Sequence, residues 1–492
     1  MNLNKKDILS IYNYFKKSAL KALNKGDNEL SLKQVEICAQ LAYQFNYFYK
    51  DQDLEEILAL NSQKINSGLY YNQLKIKGRY ALIDTNGSDN HGLTQQYIRA
   101  LIAAEVEFAY IYEDTDLSRI NIILKELKEY PKATVFTFDD EYSYVKKSQM
   151  ILGFLSKYNP EKFLMHIMPW DVVAVVVCNQ LKGVIRYNIN ATDHAFWLGS
   201  SSIEYNIEFR DYGYTVSLDK RGLNAEQLLL LPYYPVFNRI PFKGFPKTIL
   251  DKSVKIFSGG SFYKIYGDNG LYFDIIKKLL IDNPNAVFLY AGSGKQTKME
   301  RFIIDNDLKD RVYLLGNRSD IYEVFKECDI YLSTYPISGG LMSQYAAVNG
   351  KPILSYTSPN LSLNYVEGLV CHESSLKITY ENLEDFYSYG RKLCSSESFR
   401  ASKGLELKNI VISPEIFNTE LKYLLSHNRS KRILNYQNIN YETVSNLYLE
   451  VENKFEPSAQ KLIALRLKFN IIFFPKILIN MVIIVFKKLL NV

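Results

Sequence analysis

From Arg79 onward, short apolar runs alternate with segments of helical length, and after a Pro- and Gly-containing break the alternation starts again at Val254. In the first series Tyr80–Ile83, Val106–Tyr112, Ala133–Phe138, Val172–Cys178 and Ile185–Ile189 read as strands, with a helix over Leu93–Glu105. Leu228–Pro235 reads as the closing strand, and Phe237–Pro246, with Pro241, Gly244 and Pro246, as the linker. The second series runs through strands at Val254–Phe257, Ala286–Tyr290, Val312–Leu315 and Ile330–Leu332, with helices at 271–280, 297–305 and 320–327. Strands alternating with helices imply a parallel sheet covered on both faces. Two such units in succession predict two α/β domains facing a cleft, with the ligand at the carboxyl ends of the strands.

The predicted domains are 78–240 and 247–400. A helical segment, 1–77, precedes them: Ile8, Ile11, Tyr12 and Phe15, then Val35, Leu41, Phe45 and Phe48, recur at helical spacing. Helices over 401–456 and a basic tail, 457–492, follow. After Glu456 there is no acidic residue, whereas Lys461, Arg466, Lys468, Lys476, Lys487 and Lys488 are basic. Phe469–Phe474 and Ile477–Phe486 are strongly apolar, but Pro475 and Lys476 separate them, so neither reaches the roughly 18 apolar residues of a spanning helix. Such a segment fits an amphipathic helix lying on an anionic membrane surface; a helix docked on the protein's own core is the alternative.

A net charge of +6, spread over most of 492 residues, gives no concentrated basic face and argues against a nucleic-acid partner. Cys38, Cys178, Cys328, Cys371 and Cys394 are far apart with no Cys-x-x-Cys pair. That spacing speaks against a disulfide framework or zinc site and for a reducing compartment. The polar N-terminus shows no signal-peptide pattern, so a cytoplasmic location is expected.

Late in the second series, Asp329–Leu332 reads as a strand, Ser338-Gly339-Gly340 as a turn, Leu341–Val348 as a helix and Asn349-Gly350 as its stop. A glycine turn opening a helix offers free backbone N–H groups and the positive end of the helix dipole, which suits a phosphate. Other segments accompany it: Asn90-His91-Gly92, Phe196-Trp197-Leu198-Gly199, Leu231-Pro232-Tyr233-Tyr234-Pro235, Ser261-Phe262-Tyr263-Lys264-Ile265 and Ser338-Gly339-Gly340-Leu341-Met342. In this order the chain resembles GT-B glycosyltransferases over roughly residues 79–360. The likeness is to the catalytic region of O-GlcNAc-transferase-like enzymes and to bacterial polysaccharide glycosyltransferases.

The resemblance implies two Rossmann-like domains and a nucleotide diphosphate sugar, foremost a UDP-sugar, as co-substrate, with no cofactor. Lys264 would contact the donor phosphates, a cation stabilising the charge that builds on the departing diphosphate. Gly339 and Gly340, with the N–H groups of Leu341 and Met342, would hold the same phosphates, and Ser261, Asn317, Arg318, Ser338 and Gln344 complete the donor-binding candidates. His91 would face the acceptor, where a neutral imidazole accepts the proton of the attacking hydroxyl. His194 ranks beside it as general base. Neighbouring side chains on a strand point to opposite faces, so Asp193 is expected to orient an imidazole elsewhere rather than His194 itself.

Two departures qualify the likeness. Retaining GT-B enzymes carry two glutamates around the glycine loop where this chain has Ile337 and Tyr345, which favours inversion. The acidic residue near the ribose is also replaced by Tyr345, leaving Gln344 as its substitute. The Asp-x-Asp triplets at 51–53, 114–116 and 305–307 read as solvated turns, and no catalytic metal is expected.

The sequence thus points to a metal-independent, inverting hexosyl- or N-acetylhexosaminyltransferase acting in bacterial envelope polysaccharide or glycolipid synthesis, attached to the inner face of the membrane. A protein Ser/Thr O-glycosyltransferase and a catalytically silent GT-B partner subunit are the alternatives.

Overall fold

The computed structural model describes residues 4–65, 75–90, 93–114, 117–236, 240–372 and 374–464, together with Val482 and Phe486. Its first sheet has seven strands: β1 (Ile76–Asp84), β2 (Glu107–Asp114), β3 (Ala133–Asp139), β4 (Pro160–His166), β5 (Ile185–Ile189), β6 (Tyr205–Glu208) and β7 (Leu228–Leu230). The second has six: β8 (Val254–Gly259), β9 (Ala286–Ala291), β10 (Val312–Leu314), β11 (Ile330–Leu332), β12 (Ile353–Tyr356) and β13 (Thr379–Tyr380). Their orders are β3-β2-β1-β4-β5-β6-β7 and β10-β9-β8-β11-β12-β13. Every pairing is parallel. Each sheet therefore reverses direction beside its first strand, and the crevice at that switch point is where ligands lodge in such sheets.

Alternation along β1 sends Ala81 and Ile83 into one core and Tyr80 and Leu82 into another. The first core is closed by three helices, α1 (Lys5–Asn24), α2 (Asn28–Phe45) and α3 (Gln52–Ile65). A buried carboxylate fixes α3 in place: Glu55 accepts from the Gly199 and Ser201 amides at 2.9 and 3.2 Å. The opposite core is closed by the helix Thr94–Ala103 and by Pro414–His427, a helix that returns from the far end of the chain with Phe417, Leu421 and Leu424 buried. The crossing helix Tyr441–Lys454 joins both halves. Val444, Leu447 and Val451 enter the core of the second, while Tyr441 and Tyr448 pack beside Tyr49 and Tyr212 of the first.

The segment Val172–Cys178 is a helix (Val172–Gln180) and not the expected strand. Five valines within residues 172–177 favour a strand intrinsically. Here Asp171 caps the segment by accepting from the Ala174 amide at 2.9 Å and is itself held by the Thr85 hydroxyl at 2.8 Å. Residues 172–178 are buried all round, between α3 and the helix Tyr144–Tyr158, so packing overrides propensity. Strands β4, β6 and β13 have no counterpart among the strands read from sequence.

All five cysteines are buried and unbridged. The tail beyond residue 464 lies outside the described residues except for Val482 and Phe486. Among the described residues no helix is long and apolar enough to cross a membrane.

Candidate active site

Two glycine turns form the floor of the second half. β8 runs into Gly259-Gly260, and β9 into Gly292. A Cβ on Gly292 would stand 1.9 Å from the Gly260 carbonyl oxygen, and Gly260 itself has φ +142°. Only glycine permits so close an approach. The turns are tied by Gly260 N–H to Ala291 O at 2.9 Å and Phe262 N–H to Ser293 O at 3.0 Å. This fixes the short turn Phe262–Ile265 and with it Lys264. Burial lowers the Lys264 pKa, and among the described residues its ammonium has neither a hydrogen bond nor an ion pair. A desolvated cation without a protein counter-charge is costly and suits an anionic ligand.

The glycine helix, Gly340–Val348, opens beside Lys264 with Gly339 as an N-cap that provides no side-chain hydrogen bond. Its first-turn N–H groups therefore remain free to meet a ligand. The approach to this helix is held by Asn364, which accepts from the Ser338 amide at 2.9 Å and donates to Pro336 O at 2.5 Å.

The first half faces this wall with the loop 190–195 after β5. Arg221 is fully buried and donates to the carbonyls of Thr192, Asp193 and Ala195 at 3.3, 2.9 and 2.7 Å, so one guanidinium shapes the loop. Close by, burial pushes the Glu208 carboxyl up to about 7, although the Arg221 charge and hydrogen bonds from Ser217 and Asn190 pull the other way. Arg210 makes a two-point ion pair with Asp193, at 2.5 and 3.2 Å, and donates to Leu363 O of the second half at 3.0 Å. Burial alone would raise the Asp193 pKa, but the charge of Arg210, with a contribution from His194, holds it well below the usual carboxylate range.

His194 does meet Asp193, contrary to expectation: Nδ1 lies 3.5 Å from Asp193 Oδ1. The strand alternation behind that expectation does not apply, because β5 ends at Ile189 and residues 190–195 form a loop. The His194 ring stacks on Tyr448 (centroids 5.5 Å, 13°) and meets the edge of Tyr43 at 6.3 Å. His91 lies outside the described residues. The adjoining loop does not: the Asp84 carboxylate accepts from the Asn86 amide at 3.0 Å and the Thr94 hydroxyl at 2.7 Å, and it also meets His166 Nδ1 at 3.0 Å.

Between the halves are two connected cavities of about 720 and 390 Å³, which share Ala191, Phe209, Tyr233, Lys264 and Gly340 in their walls. Of the sequence-derived candidates, Ser261, Lys264, Asn317, Arg318, Gly339, Gly340, Leu341 and Met342 line the larger. Asp193, His194 and Ser338 line the smaller. Arg318 reaches the wall with its donors already committed, to Asp320 at 2.7 and 2.6 Å and to Gly244 O at 2.8 Å, so it fastens the linker. Gln344 lines neither cavity. It is buried under the glycine helix, donating to Tyr233 O at 2.8 Å and Leu369 O at 3.2 Å, while Tyr345 lines the larger cavity. Phe196, Trp197 and Leu198 are likewise interior, with the indole 5.3 Å from the Arg221 guanidinium. Tyr43, Arg210, Arg221, Asn364 and Tyr448 carry no motif, and nothing local in the sequence marks them.

Of the Asp-x-Asp triplets, Asp51 accepts from the Asp53 and Leu54 amides at the start of α3. Asp114 ends β2, with residues 115 and 116 outside the described residues, and the third triplet lies at the end of the helix Thr297–Asp305.

No family model matches the chain, and no curated protein matches it by sequence. Solved structures do match. A mutant O-GlcNAc transferase of Thermobaculum terrenum superposes with a TM-score of 0.51 at 11% identity, covering 89% of this chain and 84% of the other. The chain has the GT-B glycosyltransferase fold. Anabaena HepE, solved with UDP and glucose, aligns at TM-score 0.52 and 12% identity over 71% of this chain and 99% of its own. A glycosyltransferase from Rickettsia africae gives 0.52 at 10% identity over 72% and 99%. In this GT-B chain the two cavities lie in the cleft between the domains.

Proposed function

We propose that this chain transfers a sugar from a nucleotide diphosphate donor to an acceptor hydroxyl. The observation that carries the reading is the half-buried ammonium of Lys264, unpaired among the described residues, beside the uncapped N-terminus of the glycine helix at the switch-point crevice of the second sheet. Both supply positive charge where a diphosphate would depart, without a metal. The donor lies along the 720 Å³ cavity. UDP is its foremost nucleotide, in keeping with the UDP bound by HepE.

On the acceptor side, His194 is the general base. Asp193, kept ionised by Arg210 and 3.5 Å from Nδ1, favours the proton on Nδ1 and leaves Nε2 to take the proton of the attacking hydroxyl. Because no glutamate replaces Ile337 or Tyr345, transfer proceeds in one displacement with inversion. The basic, apolar stretch 457–492 supports attachment to the cytoplasmic face of the membrane and an envelope polysaccharide or glycolipid as acceptor.

Calorimetric titration with UDP, GDP, CDP and dTDP tests the donor site. One nucleotide should bind, and Lys264→Ala should weaken it by roughly 10- to 100-fold, the loss of one charge-assisted contact. If the folded, lipid-supplemented protein binds none of them, the donor site is refuted and a silent partner subunit becomes the better reading. Removing residues 457–492 should release the protein from anionic vesicles; unchanged cosedimentation would refute membrane attachment.

A further inference from the structure

We propose that β3 (Ala133–Asp139) is a pairing edge for a second copy of this chain, joining the two first sheets antiparallel about a two-fold axis at Phe136. A sheet edge presents a row of unpaired N–H and C=O groups, and folds blunt it by shortening or covering the strand. The two sheets have four edges. Three are blunted: β7 has three residues, all buried, β10 has three and β13 has two. β3 has seven, carries no charged side chain from Ala133 to Phe138, and fully buries only Phe138. Val135 is 44% exposed, with Thr134 and Thr137 exposed beside it. Val, Thr and Phe favour the extended state, so the open side is a ready-made strand.

The hydrogen bonds single out one partner geometry. Phe108 of β2 donates to Lys132 O at 3.1 Å, so the even-numbered residues of β3 bond to β2 and the odd-numbered ones turn away. The chain itself closes part of the outward row: Ala133 N–H donates to Tyr130 O at 3.0 Å, and Asp139 O accepts from Tyr142 N–H at 3.3 Å. The N–H and C=O of Val135 and of Thr137 stay open. Antiparallel strands exchange both bonds between facing residues. When Val135 faces Thr137 of the second copy, symmetry pairs Thr137 with Val135 in turn, and all four groups on each strand are satisfied. The closed groups of Ala133 and Asp139 then face one another, so neither copy orphans a group of the other. A shift either way sets Thr137 against Ala133 or Val135 against Asp139, whose groups are already bonded.

Charge and shape agree with that register. With Phe136 on the axis, Lys132 faces Asp140 of the second copy at both ends, whereas parallel pairing would set Asp139, Asp140 and Glu141 against their own copies. Lys132 donates to Glu105 O at 3.2 Å, with the Glu105 carboxylate 4.0 Å away, and retains further N–H donors. Phe136 meets its own copy in the non-hydrogen-bonded position, where facing side chains come closest. Its ring stacks on Phe154 (centroids 4.4 Å, 15°), and Phe154 stacks on Tyr158 (5.5 Å, 15°), so pairing brings two aromatic stacks together.

Sedimentation velocity of the full chain in mild detergent, from about 1 to 200 µM, is the test, since one paired strand per copy is a small interface with micromolar dissociation. A species of twice the 57.0 kDa chain mass should grow with concentration. Val135→Lys should weaken it at least about tenfold while the dilute monomer keeps its circular dichroism. Lys132→Asp and Asp140→Lys should each weaken it several-fold, and the double variant should restore it. The five native cysteines are buried, so an added thiol reports the register. Phe136→Cys, on the axis, should give a disulfide-linked dimer on mild oxidation, and Val135→Cys, facing Thr137, should not. A chain that stays monomeric over the whole range, a dimer indifferent to Val135→Lys, or cross-linking by Val135→Cys and not by Phe136→Cys would overturn the proposal.

Discussion

The second half presents the cleft with backbone, and the first half answers with side chains. On one wall the glycine turns at 259–260 and 292 and the first turn of the helix Gly340–Val348 line the cavity, with Lys264 and Arg318 the charged side chains beside them. On the other, Asp193 and His194 stand on a loop that is irregular in itself and is shaped by the buried guanidiniums of Arg210 and Arg221. A backbone site is robust to substitution nearly everywhere except at its glycines. A side-chain site depends on residues scattered along the sequence and buried away from the ligand.

Breaking that contrast from the side-chain wall should give the largest effect. Arg210→Met leaves the Asp193 carboxylate buried without its partner, and the loss should be about 3–5 kcal/mol in urea unfolding. On the backbone wall, Gly292→Ala drives a methyl into the Gly260 carbonyl; about 3 kcal/mol of stability and nucleotide binding should be lost together. A variant with either property intact would show that the turns can part.

Glu208→Gln sharpens the comparison through pH. The carboxyl titrates at about 7 in the folded protein against an ordinary 4.5, so its extra proton stabilises the fold below about pH 4.5, and that contribution is lost as pH rises through 7. The glutamine variant lacks this dependence. Wild type should lose stability relative to the variant by up to about 1.4 kcal/mol per pH unit between pH 5 and 7, levelling off above that. Parallel stability curves across this range would show that the proton is not taken up. The smallest effect tests whether glycine matters for its place or merely for being glycine. Gly153, inside the helix Tyr144–Tyr158, has nothing within 4 Å of an added Cβ, so Gly153→Ala should stabilise by about 0.5–1 kcal/mol.

The same contrast decides what could be read from the sequence. The strand, turn and helix around Ser338–Met342 are contiguous, and so is the run from Val254 to Lys264, so the elements of the second-half wall were legible in local pattern, and the resemblance singled out Lys264 among them. The facing wall joins α2, the loop after β5, β6 and its following helix, and the crossing helix. Tyr43 and Tyr448 meet at His194 across some 400 positions of chain, and no periodicity encodes such a meeting. Gln344 illustrates the converse. Its position beside the glycine loop suggested a ligand contact, but helical geometry turns it beneath the helix, toward Tyr233 and Leu369. Val172–Cys178 was misread because its periodicity is that of uniform burial, which strands and interior helices share.

The return of the helix Pro414–His427 onto the first sheet has a consequence during synthesis. That sheet is complete once Leu230 has been made, yet the cover that brings Phe417, Leu421 and Leu424 onto it comes almost two hundred residues later. At roughly 5–20 residues per second, the ribosome leaves an apolar sheet face open to its surroundings for about 10–40 s. The part of that face that the helix Thr94–Ala103 does not cover stays open over this interval, and any version of the chain that stops before residue 414 keeps it uncovered for good.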